Sequence, residues 1–302
     1  IPVLSTAGTA PPTQNVATAV NKGFEFGVNY AGGAGSAIRY NIGGNITFIN
    51  NEITNLGTGG EPINSGRIQS ANSTVARTDV GHPLASFYGY VTDGLFQTQE
   101  EVTSAAFQNE NTAPGDIRFR DLNGDNVIDV KDQTYIGNPI PKATYGLTGD
   151  ISFMGFDLSM FWQGSQGNDI YNGSVRYDFS YVNRPNSSLE RWTGPGTSNF
   201  EPRVNLNDPN QNARVSDRFV EDGSFIRFKN LQLGYTFPKI WMNKAKIKEF
   251  RVYVSAQNLL TFTKYNGLDP EIGTIGGALE LGIDKGFYPQ ARILLGGVSL
   301  KF

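Results

Sequence analysis

Apolar and polar residues alternate with a period of two along seven stretches of the chain. In GFEFGVNY, Phe24, Phe26, Val28 and Tyr30 share one side, with Glu25, Gly27 and Asn29 on the other. Next, Ile38, Tyr40, Ile42, Ile46 and Phe48 oppose Arg39, Asn41, Asn45 and Thr47. Tyr145, Leu147, Ile151 and Phe153 oppose Thr148, Asp150 and Ser152. After a tight turn at Met154 and Gly155, Phe156, Leu158, Met160 and Trp162 oppose Asp157, Ser159 and Gln163. Leu231, Leu233, Tyr235 and Phe237 oppose Asn230, Gln232 and Thr236, and Phe250, Val252, Val254 and Ala256 oppose Arg251, Tyr253, Ser255 and Gln257. The last run sets Leu294, Val298, Leu300 and Phe302 against Ser299 and Lys301. This period predicts strands, and no charge falls on any of the apolar sides. A soluble sandwich, dry on one face and wet on the other, alternates in the same way, so the pattern leaves open what the apolar side meets.

The connections separate the alternatives. Three are short: AGGAGSA between the first two strands, MG between the third and fourth, and PKIWMNKAKIKE between the fifth and sixth. The others run over about 55–141, 167–222 and 263–289, so long and short alternate strictly. Structureless loops beyond about 12–15 residues are uncommon in compact soluble domains. Outer-membrane barrels have this arrangement, with short periplasmic turns at one end and long extracellular loops at the other. The pattern favours an all-β chain building part of a large transmembrane β-barrel. Seven strands cannot close one: the count is odd, and both edges would stay unpaired in hydrocarbon. The expectation is a section of about seven antiparallel strands whose barrel is completed elsewhere.

Composition adds exclusions. The chain has 302 residues with 36 Gly, 20 Phe and 13 Tyr, a mixture suited to strands and many turns. A formal charge of −3 offers no basic patch for nucleic acid. Without cysteine there are no disulfides or thiolate metal sites. The single histidine, His82 beside Pro83, has no nucleophile to serve and reads as solvated or locally hydrogen-bonded. Glu100 with Glu101, and Glu221 with Asp222, are adjacent pairs whose side chains diverge, so they suit loop hydrogen bonding rather than acid–base chemistry. GGAGS at 32–36 is a turn, because no Lys-Ser/Thr and no helix follow it. The expected function is therefore not enzymatic. No run of eighteen apolar residues exists, which excludes a membrane-spanning helix. The opening IPVLSTAGTAPP reads as the middle of a loop, without initiator Met or signal pattern, and points to a processed or truncated product.

One stretch carries cation chemistry: DLNGDNVIDVKD, residues 121–132. A twelve-residue calcium loop offers oxygens from positions 1, 3, 5, 7, 9 and 12, the seventh through its backbone carbonyl. Those positions here are Asp121, Asn123, Asp125, Val127, Asp129 and Asp132. Four carboxylates this close repel one another unless a divalent cation sits among them. Gly124 and Asn126 tolerate the left-handed backbone that the wrap requires, although glycine is usual where Asn126 stands. Flexible oxygen ligands suit Ca2+ better than magnesium. The alternative is an Asx-rich turn without metal. A sensor would need helices on both sides. Upstream DIRFR alternates like a strand, and Pro139 and Pro141 exclude a helix downstream. A structural brace is expected, not a switch. Of the aromatics, Tyr30, Tyr40, Trp162, Tyr235 and Phe302 lie on apolar sides and suit an interfacial girdle. Trp192, Phe200, Tyr265, Phe287 and Tyr288 lie in or beside long loops, for packing them together or for stacking on a ligand.

Three longer stretches carry a resemblance. PGDIRFRDLNGDNVIDVKDQTYIGNPIPKATYGL (114–147), SDRFVEDGSFIRFKNLQLGYTFP (216–238) and VSAQNLLTFTKYNGLDPEI (254–272) resemble segments of SusC-like (SusC/RagA family) TonB-dependent outer-membrane transporters. NKGFEFGVNY and the strand ending in Phe302 also fit, so the likeness covers nearly the whole chain and is most specific over 84–302. It implies a barrel of about 22 strands in the outer membrane of a Gram-negative, Bacteroidetes-type cell. Such a barrel imports glycans or peptides beneath a SusD-like surface lipoprotein, with energy delivered through TonB. Residues 1–302 would be its C-terminal section, with the plug domain outside this chain. The competing functional reading is a calcium-dependent surface β adhesin or glycan-binding module.

Overall fold

The computed structural model describes residues 17–57, 59–68, 74–175, 186–205, 207–242, 246–274 and 276–302. The opening stretch read as mid-loop lies outside the described residues. In chain order the strands are β1 Thr18–Gly32, β2 Ile38–Asn55, β3 Ile63–Arg67, β4 Thr74–Thr78, β5 Ser86–Tyr90, β6 Thr92–Leu95, β7 Ile117–Phe119 and β8 Gln133–Gly137. There follow β9 Ala143–Phe153, β10 Phe156–Gln166, β11 Asp169–Asn172, β12 Val220–Asp222, β13 Phe225–Thr236, β14 Glu249–Thr263, β15 Ile283–Asp284 and β16 Ile293–Lys301. Two short helices, α1 Gln99–Ser104 and α2 Lys239–Met242, complete the elements used below. No described helix is long and apolar enough to cross a membrane.

Seven strands form one antiparallel wall in the order β1-β2-β9-β10-β13-β14-β16. The predicted apolar sides meet across it. Phe24 pairs with Phe48, Ile38 with Phe153, Leu158 with both Ile151 and Leu233, Val254 with Leu233, and Val298 with Val252. Register thus merges seven separate stripes into one continuous apolar face. Among the described residues nothing covers that face: Phe24 is 83% exposed, Leu294 72% and Phe302 75%. A soluble sandwich would bury it.

Where β10 meets β13 the register slips beside Phe161, opposite Phe228 and Asn230. Skipping Lys229 returns Phe228 to the apolar face, where it stacks on Trp162 at 4.3 Å. Trp162 stands six residues along β10 from Phe156 at the short turn, about 20 Å at strand rise. Tyr30, Tyr40, Tyr235 and Phe302 gather at the short-turn end of the wall. The two aromatic levels bound a band close to the ~25 Å apolar belt of membrane barrels.

The opposite face is polar and partly self-paired. Arg251 holds both oxygens of Asp157 from two strands away, and Ser159 donates to Asp150 at 2.6 Å. Gly234 lies beneath the arginine pair, where a Cβ would come within 2.4 Å of its guanidinium and 2.6 Å of Asp157. Its missing side chain makes room for the ion pair.

β2 changes sides along its length. From Ile38 to Phe48 its outward residues are apolar. Beyond that they become Asn50, Glu52 and Thr54, while Asn51 and Ile53, facing the other way, are buried. The upper end of the strand therefore belongs to a second body built by the long connections.

These connections start and stop close to where alternation placed them, after Asn55, Gln166 and Thr263. They are folded, not structureless. β3-β4-β5-β8 make a four-stranded sheet, β12-β11-β15 a three-stranded one, and β6 pairs with β7. One core joins Val75, Phe87, Tyr171, Val215, Phe219 and Ile283, drawing on all three long connections. A second joins Tyr90, Leu95, Ile117, Phe119 and Ile128. This cap holds most of the buried apolar residues of the described chain.

Candidate functional site

The acidic loop lies on the cap between β7 and β8. Its backbone follows the expectation, with Gly124 at φ +77° and Asn126 at φ +66°. Asp121 accepts the amides of Gly124 at 2.6 Å and Asn126 at 2.8 Å, so its two oxygens organise the first turn. Asn123 and Asp125 take the amides two residues ahead of each. Asp132 is fully buried and receives Leu122 at 2.9 Å and Asp129 at 2.8 Å, closing the loop's two ends on one carboxylate. A bridge to Phe107 fastens the middle of the loop through Asn126 and Ile128.

The six positions are therefore wound into one loop, but their carboxylates do not converge. Among the described residues no three His, Cys, Asp or Glu side chains are grouped closely enough to hold a metal ion. The Lys131 ammonium stands 3.7 Å from Asp125 and 3.7 Å from Asp129, supplying the positive charge between them. Each carboxylate oxygen keeps acceptor capacity beyond the amides it binds. The donor set fits a hard cation, provided the side chains of Asp125 and Asp129 turn inward from Lys131. No helix flanks the loop; a single 3-10 turn, Val130–Asp132, precedes β8.

Other candidates resolve into structural roles. Glu101 caps its own helix, accepting the Gln97 amide at 2.7 Å. Glu221 accepts from Asn172 and from the Asn266 amide, tying β12 to β11 and to the third long connection. His82 is half-buried and stacks on Tyr135 at 3.5 Å between ring centroids, a ring contact that the reading as solvated or locally hydrogen-bonded did not include. Trp192 donates to Gln97 at 3.1 Å and packs on the second core, and Tyr265 donates to Asp284 at 2.7 Å. Burial raises the Tyr265 pKa, so its hydroxyl stays protonated. Phe200 and Tyr288 remain exposed, with the Arg218 guanidinium 4.0 Å above the Phe200 ring.

Ion pairs buried in the cap escaped sequence reading, because their members lie far apart in the chain. Arg227, on β13, is buried against Asp269 and Glu271, and Lys229 meets Glu271 at 2.8 Å. This cluster clamps the third long connection to the wall. Arg203 grips both oxygens of the fully buried Asp116 at 2.8 Å. Where the wall meets the cap lies a cavity of about 860 Å³, lined by Phe24, Phe48, Pro139 and Phe225 together with Glu25 and Glu271 among others.

No family model matches the chain. It is 30% identical over 310 residues to TonB-dependent receptor P3 of Formosa agariphila, an alignment covering 100% of the chain. It is 32% identical over 301 residues to TonB-dependent receptor SusC of Bacteroides thetaiotaomicron, covering 97% of the chain. Over nearly its whole length the chain is therefore similar to part of the SusC-like TonB-dependent receptors. It spans about 30% and 27% of the length of those two relatives. The fold agrees: the solved RagAB peptide transporter matches all of this chain at TM-score 0.76 and 23% identity, over 31% of its own chain. As a SusC-like segment, the seven-stranded wall is a section of a large β-barrel, and its open apolar face is the barrel's outer surface. The relatives are named as receptors, in keeping with a non-enzymatic role.

Proposed function

We propose that this SusC-like segment belongs to an outer-membrane importer of glycans or peptides. The remaining strands and the plug would come from the rest of the barrel, a SusD-like lipoprotein would close the external face, and TonB would deliver the energy. The observation that carries the reading is the division of the molecule. Among the described residues nothing buries the apolar wall face, while the long connections at one end hold their own cores. Lipid is the solvent that suits such a wall, and the short turns then face the periplasm. Production of residues 1–302 without detergent tests this. Aggregation is expected, relieved by co-refolding with the rest of the barrel in detergent. A monodisperse soluble monomer that unfolds cooperatively would sink the barrel role and favour the adhesin.

Within the same reading, we propose that Asp121, Asn123, Asp125, the Val127 carbonyl, Asp129 and Asp132 hold a structural calcium ion. Four aspartates against Lys131 alone support it. Asp121→Ala then disorders the 55–141 connection and weakens lipoprotein binding before it alters the barrel. Hydrogen exchange across residues 107–132 is expected to slow on adding calcium. Identical exchange with calcium and with chelator overturns the proposal.

A further inference from the structure

Two arginines of the cap lack the hydrogen-bond partners that their surroundings call for. Arg214 is half-buried, its guanidinium 4.9 Å from the ring centre of Phe119 and 5.4 Å from that of Tyr90. Arg77 lies over Tyr88 at 4.3 Å. The Nε of each is buried and finds no hydrogen-bond acceptor among the described residues. Asp79 neighbours Arg77, with an oxygen 3.5 Å from its Nε, but the same oxygen accepts from the Tyr135 hydroxyl. No carboxylate among the described residues stands at ion-pair distance from Arg214; Asp208 acts on it only from farther off. Burial depresses the Arg214 pKa, as expected of a cation deprived of water. Guanidinium carries five donors in a rigid fork, and buried donors are ordinarily satisfied.

Both side chains line one cavity of about 600 Å³, together with Tyr88, Tyr90, Gln133 and Asn109. Its size falls in the range of small-molecule sites. The single carboxylate in its lining is Asp129, which is engaged by the Lys131 amide at 2.7 Å and by the Lys131 ammonium. Asp79, outside the lining, partly offsets Arg77, which leaves the Arg214 guanidinium without a carboxylate at ion-pair distance among the described residues. Aromatic rings approach the carbon of both guanidiniums, at 4.3 to 5.4 Å, a contact that uses none of the N–H donors of the fork.

We propose that this cavity binds a small organic carboxylate, gripped by the fork of Arg214 and attracted by the charge of Arg77, with the tyrosine rings meeting the ligand's apolar part. Only the site's place in uptake rests on the import reading. A sugar acid and a peptide C-terminus share this chemistry, so the test separates them. In the full-length receptor in detergent, calorimetry compares D-glucuronate with D-glucose, and N-acetylalanine with its amide. At least one acid binds about ten-fold or more tightly than its neutral partner, the effect of a hydrogen-bonded charge. Whichever acid wins names the source. Arg214→Gln removes that advantage, and Arg214→Lys, keeping charge without the fork, restores part of it. Arg77→Gln serves as a second variant should Arg214→Gln lower the melting temperature. Equal binding of acids and neutral partners, no binding of either acid, or an undiminished advantage in a normally melting Arg214→Gln protein overturns the site. Radiolabelled uptake is scored separately. Binding without uptake rejects import and keeps the site, whereas uptake without this binding does the reverse.

Discussion

Wall and cap obey opposite rules. In the wall, strands of 9 to 18 residues carry their apolar side chains outward. Each pairs with the wall strand before or after it in the chain, across the cap where β2 meets β9, β10 meets β13 and β14 meets β16. In the cap, strands of two to five residues point theirs inward and depend on contacts such as the Tyr90 amide on the Val215 carbonyl. The wall takes its stability from a lipid environment and backbone ladders; the cap takes its own from ordinary hydrophobic burial and buried ion pairs. The difference shows that one chain can satisfy two solvents, provided that the change of rule falls at the water boundary.

Three destabilising substitutions, one of them paired with a silent control, would break or sharpen this contrast. The largest effect is expected of Phe87→Ala, at a fully buried cap position. It removes about 3–5 kcal/mol from the cap alone, seen as new protease cleavage in external loops while the barrel keeps its heat-modifiable migration on gels. Loss of the barrel band as well would mean that wall and cap are one cooperative unit. Leu233→Arg follows. Leu233 sits on the outer face between Leu158 and Val254, inside the apolar band, where a charge costs up to about 2–4 kcal/mol, the value at the midplane. Its neighbour Gln232 faces the lumen, so Gln232→Arg is expected to leave urea midpoints in lipid nearly unchanged. Equal effects at the two positions would remove the assignment of faces. The smallest is His82→Ala, which forfeits the stack on Tyr135 and lowers cap stability by about 0.5–1.5 kcal/mol, measured by hydrogen exchange near Ile53.

The wall was legible because a period-2 signal repeated over seven long runs and because turn length alternated with it. Its strand ends fell close to the positions that Asn55, Gln166 and Thr263 now mark. Little of the cap was legible. DIRFR alternates like a strand and forms Ile117–Phe119, but most cap strands, such as Ile283–Asp284, are too short for a period, and their neighbours in space are distant in sequence. In the acidic loop, composition foretold the left-handed turns at Gly124 and Asn126, which are local. It could not foretell that Lys131 would stand between Asp125 and Asp129, because side-chain direction depends on the packed surroundings. Arg77 and Arg214 carried no sequence signal for a related reason. Arg214 gains its interest from rings at positions 90 and 119, which only the fold brings beneath it.

The reversal of sides along β2 also sets a height. The strand runs 18 residues, whereas crossing a bilayer takes about 9–11. The surplus, roughly seven residues from Ile49 to Asn55, rises about 23 Å and ends inside the cap at Ile53. The strand is thus a pillar, and the cap is mounted on it with no flexible joint between. Objects held near the cap are kept clear of the lipid headgroups, and any tilt of the wall swings them sideways by leverage.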